Sequence, residues 1–388
     1  MRSEGCTRRL QMLHHTRGFV HWTTVDWHMV TGPMSQSGRG SRVAGGGLEA
    51  SRGRSRKTAH PGRPAARGPC PAARSALLLT LVALSAGCDR LRSRPQTPFD
   101  AEQAMGYVRA QLAFGPRVPG TVGHRRTGDW IVAQMRQRVD TVIEQRWTHV
   151  GQRGDSLPLR NILARIRPDV SERVLYLAHW DTRPTADGDR NLGARQQPIP
   201  GANDGASGVA LLIALADALK KSPPTTGVDL LFVDGEDYGS FDDPEMRDVL
   251  IGSRYFADHL PTPDYRPLYG VLWDMIGDRD LDIYQEQNSL SAAPEVVARV
   301  WQTAKDLGYE KFFIPEAGTA IPDDHLPLIK KGLRVIDVID LDYGPPVTDN
   351  GPLPADTYHH TLQDTIDKIS ARSLQIVGDV ATALLTVR

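Results

Sequence analysis

Six short clusters in the chain hold the residue types that bind cations and carry protons. His179 and Asp181 stand in AHWD, Asp204 in GANDGASG, and Glu236 with Asp237 in DGED. Asp274 lies in LWDMIG, Asp323, Asp324 and His325 in PDDH, and His359 with His360 in YHHT. Taken singly, most have an ordinary explanation. An Asp before an apolar helix is commonly an N-cap, an acidic pair after a strand is commonly a solvated loop, and a His pair commonly sits on a surface or in a core. Asp274 is different, because it falls between Trp273 and Met275 in an apolar run, and a carboxylate buried alone is costly. Glu236 and Asp237 add a further possibility. Adjacent carboxylates at a strand end point in different directions, so one can bind a metal while the other moves a proton.

These clusters need elements that bring them together, and the spacing of apolar residues supplies them. Helical periodicity runs over 99–112 and 122–139, followed by two strands, 142–150 and 159–166, joined as a hairpin around GQRGDS. A strand at 174–178 ends on His179 and Asp181, and a Gly-rich turn containing Asp204 then feeds an apolar helix over 209–220. Gly201, Gly205 and Gly208 allow that turn to bend sharply. An unbroken apolar run makes 229–234 a buried strand, ending at Glu236 and Asp237. Further strands are expected at 269–276, 281–285 and 333–339, with helices at 246–260, 294–307 and 365–385. Strands alternating with helices predict a single α/β domain whose twisted, mostly parallel sheet is covered by helices on both faces. In such a sheet, sites collect at the carboxyl ends of strands, where the clusters fall.

Composition narrows the chemistry. Among the 388 residues, 46 Lys and Arg balance 46 Asp and Glu, which argues against a nucleic-acid partner. The balance hides an asymmetry, since the first 75 positions are rich in Arg, Gly, Ser and Pro and the acids concentrate after Asp89. The three cysteines, Cys6, Cys70 and Cys88, all precede the predicted domain, which therefore has no thiolate ligand or nucleophile and no disulfide framework. A metal there would rest on His and carboxylate ligands.

Residues 1–73 lack a sustained hydrophobic period and read as a disordered leader or a mis-assigned start. Residues 74–88, RSALLLTLVALSAGC, have the charge, apolar run and small residues of a secretory signal and are too short for a comfortable membrane span. The ending LSAGC resembles a bacterial lipoprotein signal with Cys88 as the acylated residue; the alternative is an ordinary cleaved signal without an anchor. The expectation is an exported protein of the cell envelope or periplasm, touching the membrane only through a lipid anchor. Residues 89–98 form a polar tether, and 99–388 the catalytic domain.

In order, HxD, NDGASG, GED, WDMIG, DDH and HHTLQDT resemble the M28 metallopeptidase family, a zinc-dependent group with an aminopeptidase-like α/β fold. Within it, AHWDTRP, PIPGANDGASG, DGEDYGS with a later GSRYFA, and PDDHLPLIKKG are similar to the glutaminyl cyclases, especially the bacterial ones of animal type. The likeness implies one Zn2+ held by Asp204, Asp237 and His360, with Glu236 as catalytic acid/base and Asp274 and Asp323 as supporting carboxylates. The implied activity is conversion of an N-terminal glutamine of peptides or proteins to pyroglutamate, releasing ammonia. The same residues also fit a two-zinc aminopeptidase, with Asp204 bridging the metals and His179 and Asp274 completing the second site. DDH is the cyclase form, where aminopeptidases have SDH. Two departures from the animal cyclases stand out: Asp237 replaces a common Glu, and His359 replaces a substrate-stacking Trp.

Overall fold

The computed structural model describes residues 14–16, 19–21, 97–345 and 357–386. Residues 1–77 and 78–388 form separate units. In the first, strands β1 (His14–Thr16) and β2 (Phe19–His21) pair antiparallel. The apolar run, Cys88 and the tether up to residue 96 lie outside the described residues.

The second unit contains α1 (Ala101–Leu112), α2 (Val122–Arg136), β3 (Thr141–Val150), β4 (Ser156–Ile166), β5 (Arg173–His179) and α3 (Ala206–Lys221). There follow β6 (Gly227–Val233), α4 (Ile251–Asp258), β7 (Gly270–Asp274), β8 (Ile283–Gln285), α5 (Gln287–Ala292) and α6 (Pro294–Asp306). The last elements are β9 (Phe313–Ala317), α7 (His325–Lys330), β10 (Val335–Ile339) and α8 (Ala371–Thr386). A six-stranded sheet has the order β10-β7-β5-β6-β4-β3. Its β10, β7, β5 and β6 are parallel, and β4 and β3 continue it antiparallel. The GQRGDS hairpin is present, with Val150 opposite Ser156. β8 and β9 pair separately.

Alternation along β5 explains the two covered faces. Val174, Tyr176 and Ala178 join the core built with α1, α2, α3 and α8, whereas Leu175 and Leu177 meet Phe256 of α4 and Leu328 of α7 on the other face. Strands buried on both faces lose the apolar/polar alternation of a half-exposed strand, which is why β5 and β6 read as continuous apolar runs. The chain leaves β5 toward β6 and leaves β7 toward β10. The crevice between the carboxyl ends of β5 and β7 is thus the point where strand order reverses, the usual ligand position in such sheets.

Several boundaries differ from those expected. The helix anticipated over 246–260 is confined to Ile251–Asp258; Met246 and Leu250 have φ of 48° and 53°, incompatible with a continuing right-handed helix. The closing helix starts at Ala371 rather than 365, because Thr365 to Lys368 close a turn and the Ser370 hydroxyl accepts from Ser373 N. His359 and His360 therefore belong to a loop well ahead of the last helix. Two short helices, α5 and α7, and strand β9 are additions, each too short to show a period.

Gly208 lets α3 lie against β7: a Cβ there would come within 2.2 Å of the Trp273 carbonyl oxygen. Gly106 in α1 has open space at the same point. Gly208→Ala should lower stability by about 1–3 kcal/mol, the usual effect of overpacking. Gly106→Ala should be neutral or raise it by up to about 1 kcal/mol. Equilibrium denaturant unfolding of the two variants checks both signs.

Candidate active site and metal centre

Asp204 is not a helix cap. α3 begins at Ala206 behind Gly205, with no side-chain cap hydrogen bond, so the carboxylate of Asp204 is free to face the end of β5. There its Oδ1 lies 3.0 Å from His179 Nε2, which is also 3.3 Å from Asp274 Oδ1. Gly205 makes that approach feasible, since a Cβ on it would fall 2.5 Å from His179 Nε2. Asp204 Oδ2, on its other side, is 3.8 Å from His360 Nε2 and 3.9 Å from His359 Nε2. His360 Nε2 is in turn 3.3 Å from Asp237 Oδ1. The loops after β5, β6 and β7 and the YHHT loop thus meet at Asp204.

The loop bearing Asp204 is fastened from three directions. Arg117, from the turn between α1 and α2, is fully buried and donates to the carbonyls of Trp180, Pro200, Gly201 and Asp204 at 3.1, 3.0, 2.6 and 3.2 Å. Burial lowers its affinity for the proton to a pKa of about 10 while Asp364, Asp204 and Asp181 oppose that fall. Asp364 accepts from Asn203 N at 2.8 Å, Asp204 N at 3.2 Å and the Tyr343 hydroxyl at 2.7 Å. Asn203 completes the grip, donating to Met275 O at 3.0 Å and accepting from Gly277 N at 2.7 Å. Asp181 has a parallel duty toward the acid pair, accepting from Glu236 N at 3.1 Å and Asp237 N at 3.2 Å. It is a brace rather than a reacting group.

The electrostatics are dominated by buried carboxyls. Burial raises the Glu236 carboxyl well above its usual range; the imidazole of His179 works against this, and Asp237, Asp323 and Asp324 add to it. Asp323 is raised in the same way, by burial and then by Asp274 and Asp324. Behind it Asp337, from the middle of β10, lies in a group with Asp323 and His325 whose donor atoms are all within 4.8 Å of one another. Burial and the neighbouring Asp323 lift the Asp337 carboxyl as well. Two neighbouring buried carboxyls cannot both ionise cheaply, which favours the protonated form at this place. His179 balances the opposite way: burial favours the neutral ring, but Asp274, Asp181 and Asp204 together raise it well above the ordinary histidine range.

Among the buried carboxyl oxygens without a hydrogen-bond partner are Asp204 Oδ2 and Asp237 Oδ2. Orphaned buried carboxylate oxygens beside an imidazole are what an oxygen- and nitrogen-binding cation such as zinc requires. Asp204, His359 and His360 can reach one ion, and His179, Asp204 and Asp274 can reach another. The other oxygen of Asp237 receives Arg183 Nη1 at 2.5 Å, leaving Oδ2 for a metal. The donor group differs from the expected Asp204, Asp237 and His360: His359 stands with Asp204 and His360 as a residue able to offer an imidazole where a stacking Trp was the usual neighbour, and Asp237 lies 3.3 Å from His360. Burial and the adjacent His360 lower its pKa to about 4, which keeps the ring neutral.

A cavity of about 230 Å³ opens over this centre, lined by Asp204, Glu236, Asp274, Asp323 and the two histidines and walled by apolar residues such as Phe241, Ile321 and Leu341. Sequence reading placed the carboxyls that line it but missed what holds them. Arg117 lies in a Gly/Pro turn and carries no local signal. Asp337 was detectable, as an acid inside the apolar run VIDVI, the same sign that marked Asp274. Asp364 stands within HHTLQDT, yet nothing in that stretch discloses that it braces the Asp204 loop.

Asp181→Asn keeps the size of the brace but leaves one of the two amides of Glu236 and Asp237 facing an NH2 group. Zinc affinity measured by competition with a chelator should fall about 10- to 100-fold, the usual effect of removing a partner that orients a ligand. Unchanged affinity would mean that the acid pair positions itself.

Known proteins share this fold. A glutaminyl cyclase from Porphyromonas gingivalis superposes with a TM-score of 0.69 at 38% identity, over 75% of this chain and 99% of that one. A Zn-dependent exopeptidase from Parabacteroides distasonis gives 0.69 at 35% identity, over 76% and 100%. The aminopeptidase YwaD of Bacillus subtilis is 27% identical over 221 residues, which are 56% of this chain and 40% of that relative's length. The chain thus spans less than half of that curated relative. The model of peptidase family M28 matches residues 161–385, more than half of the sequence and every cluster described above, and the chain belongs to that family.

Proposed function

We propose that the protein cyclises the N-terminal glutamine of peptides or proteins to pyroglutamate. The observation carrying this reading is the placement of Asp323 beside Glu236 and Asp274 on one cavity. Bound by Asp204, Asp237 and His360, a zinc ion would supply Lewis-acid polarisation of the side-chain amide carbonyl. The remaining work falls to the protein. Glu236, whose affinity for a proton is raised by burial, takes a proton from the attacking α-nitrogen and gives it to the leaving nitrogen. A bond forms between the α-nitrogen and the amide carbon, the carbon–nitrogen bond of the amide breaks, and ammonia departs. Asp323, whose carboxyl is raised by burial and then by Asp274 and Asp324, donates a hydrogen bond at this centre in its protonated form, and Asp274 orients the acids through His179. The apolar walls Phe241, Ile321 and Leu341 exclude water, which the cyclisation does not consume.

A second reading rests on its own observation. His179, Asp204 and Asp274 can reach one ion while Asp204, His359 and His360 reach another, which is the sharing a two-zinc aminopeptidase needs. Zinc stoichiometry and substrate separate the two: a Gln-initiated peptide cyclised at one zinc per chain supports the first, a Leu-initiated amide hydrolysed in proportion to a second zinc supports the other.

Glu236→Gln keeps shape but cannot accept a proton, so bound zinc should be unchanged while turnover falls by a factor on the order of 100 to 10,000. Asp323→Ser should cost a cyclase much of its activity on Gln-initiated peptides and an aminopeptidase little. Near-normal turnover of Glu236→Gln with zinc bound would overturn the mechanism, and a harmless Asp323→Ser would favour the aminopeptidase.

A further inference from the structure

The cavity over the catalytic carboxyls adjoins a second, larger hollow. Ile321, Ile339 and Leu341 line both, and the second, of about 340 Å³, is completed at the ends of β8, β9 and β10 by residues including Tyr284, Thr319 and Asp342. It is large enough for one or two side chains, and Leu341, which stands 38% exposed, forms part of the ridge between the two.

The surroundings of this second hollow carry one sign of charge. Asp342 lines it, and the Tyr284 phenol on its wall is raised by partial burial and then by the fields of Asp282, Asp342, Glu316 and Asp340. Asp340, 1% exposed, accepts from Asp282 N through Oδ2 and leaves Oδ1 without a partner. None of the ion pairs among the described residues involves Asp282, Glu316, Asp340 or Asp342. Glu286 also lines the hollow, but its carboxylate is engaged as the cap of α5, accepting from Asn288 N and Ser289 N. Burial raises the Asp340 carboxyl well above its usual range, so the acidic field at the rim comes chiefly from the exposed Asp342 and Glu316, and carboxylates beside a low-dielectric wall attract cations.

A peptide whose first residue reacts in the catalytic cavity must run its remaining chain out past that cavity's rim. We propose that the adjoining hollow is the subsite for the residues that follow, and that it selects peptides with Lys or Arg at the second or third position. The chain would cross the Ile321, Ile339 and Leu341 ridge and bring the basic side chain to Asp342 and its neighbours. This inference rests on the reading that the catalytic cavity accepts a peptide N-terminus, which both enzymatic readings share.

The test uses the full chain with zinc and a series of Gln-initiated peptides carrying Lys, Arg, Ala or Glu at the second and third positions. Peptides with Lys or Arg should show kcat/KM about five-fold above the Ala peptide, the upper reach of one exposed ion pair, and the Glu peptides should fall below it. Raising the salt should shrink the spread. The double variant Asp342→Asn with Glu316→Gln should abolish the preference while leaving the Ala peptide unchanged, which also shows that it is folded. Equal efficiency across the series, or a preference that survives the double variant, overturns the subsite while cyclisation stands. If no Gln-initiated peptide is cyclised, the same scan on Leu-initiated peptides decides the subsite after the cyclase reading has failed, and absence of turnover on both series overturns the two together.

Discussion

The site is governed by an excess of buried carboxyls. Asp181, Asp204, Glu236, Asp237, Asp274, Asp323, Asp324 and Asp337 are all less than a tenth exposed, gathered around few cations. Bringing that many acids out of water is unfavourable unless each is protonated, hydrogen-bonded or neutralised. The protein uses all three solutions. Asp181 and Asp364 accept backbone amides, burial and neighbouring carboxyls raise Asp323 and Asp337 toward the protonated form, Asp237 takes Arg183, and the outstanding Oδ2 of Asp204 faces His359 and His360 where a metal fits.

This constraint accounts for the density of fastening around the Asp204 loop. A carboxylate held only by attraction to a metal would shift with each change in coordination, and displacements of about 1 Å are enough to impair catalysis. The loop is therefore tied to the α1–α2 turn by Arg117, to the YHHT segment by Asp364, and to the end of β7 by Asn203. Helices on both faces of the sheet fix the strand ends, and the strand ends fix the acids.

The fold was largely legible because it rests on patterns that span many residues. The buried runs of β5 and β6, the hairpin around GQRGDS and the long α3 each showed their type through composition and period. Boundaries set by backbone torsion were not: nothing in the letters of Met246 or Leu250 announces a positive φ, so the start of α4 was missed. The candidate site residues stood out for a different reason, since carboxylates and histidines at strand ends are conspicuous against apolar text. Their supports were hidden, because Arg117 acts across 87 positions on Asp204 and such a relation leaves no local mark.

The reach of Arg117 has a consequence for what counts as the working unit. The family match begins at residue 161, yet the guanidinium that gathers four carbonyls of the metal-facing loop comes from residue 117, on the connection between the first two helices of the domain. A fragment cut to the matched segment would keep every candidate ligand and proton carrier proposed above while losing the group that holds the loop presenting them. The heritable signature and the mechanical unit therefore have different edges. The helical pair ahead of the signature is a structural part of the active site, although it contributes no reacting atom.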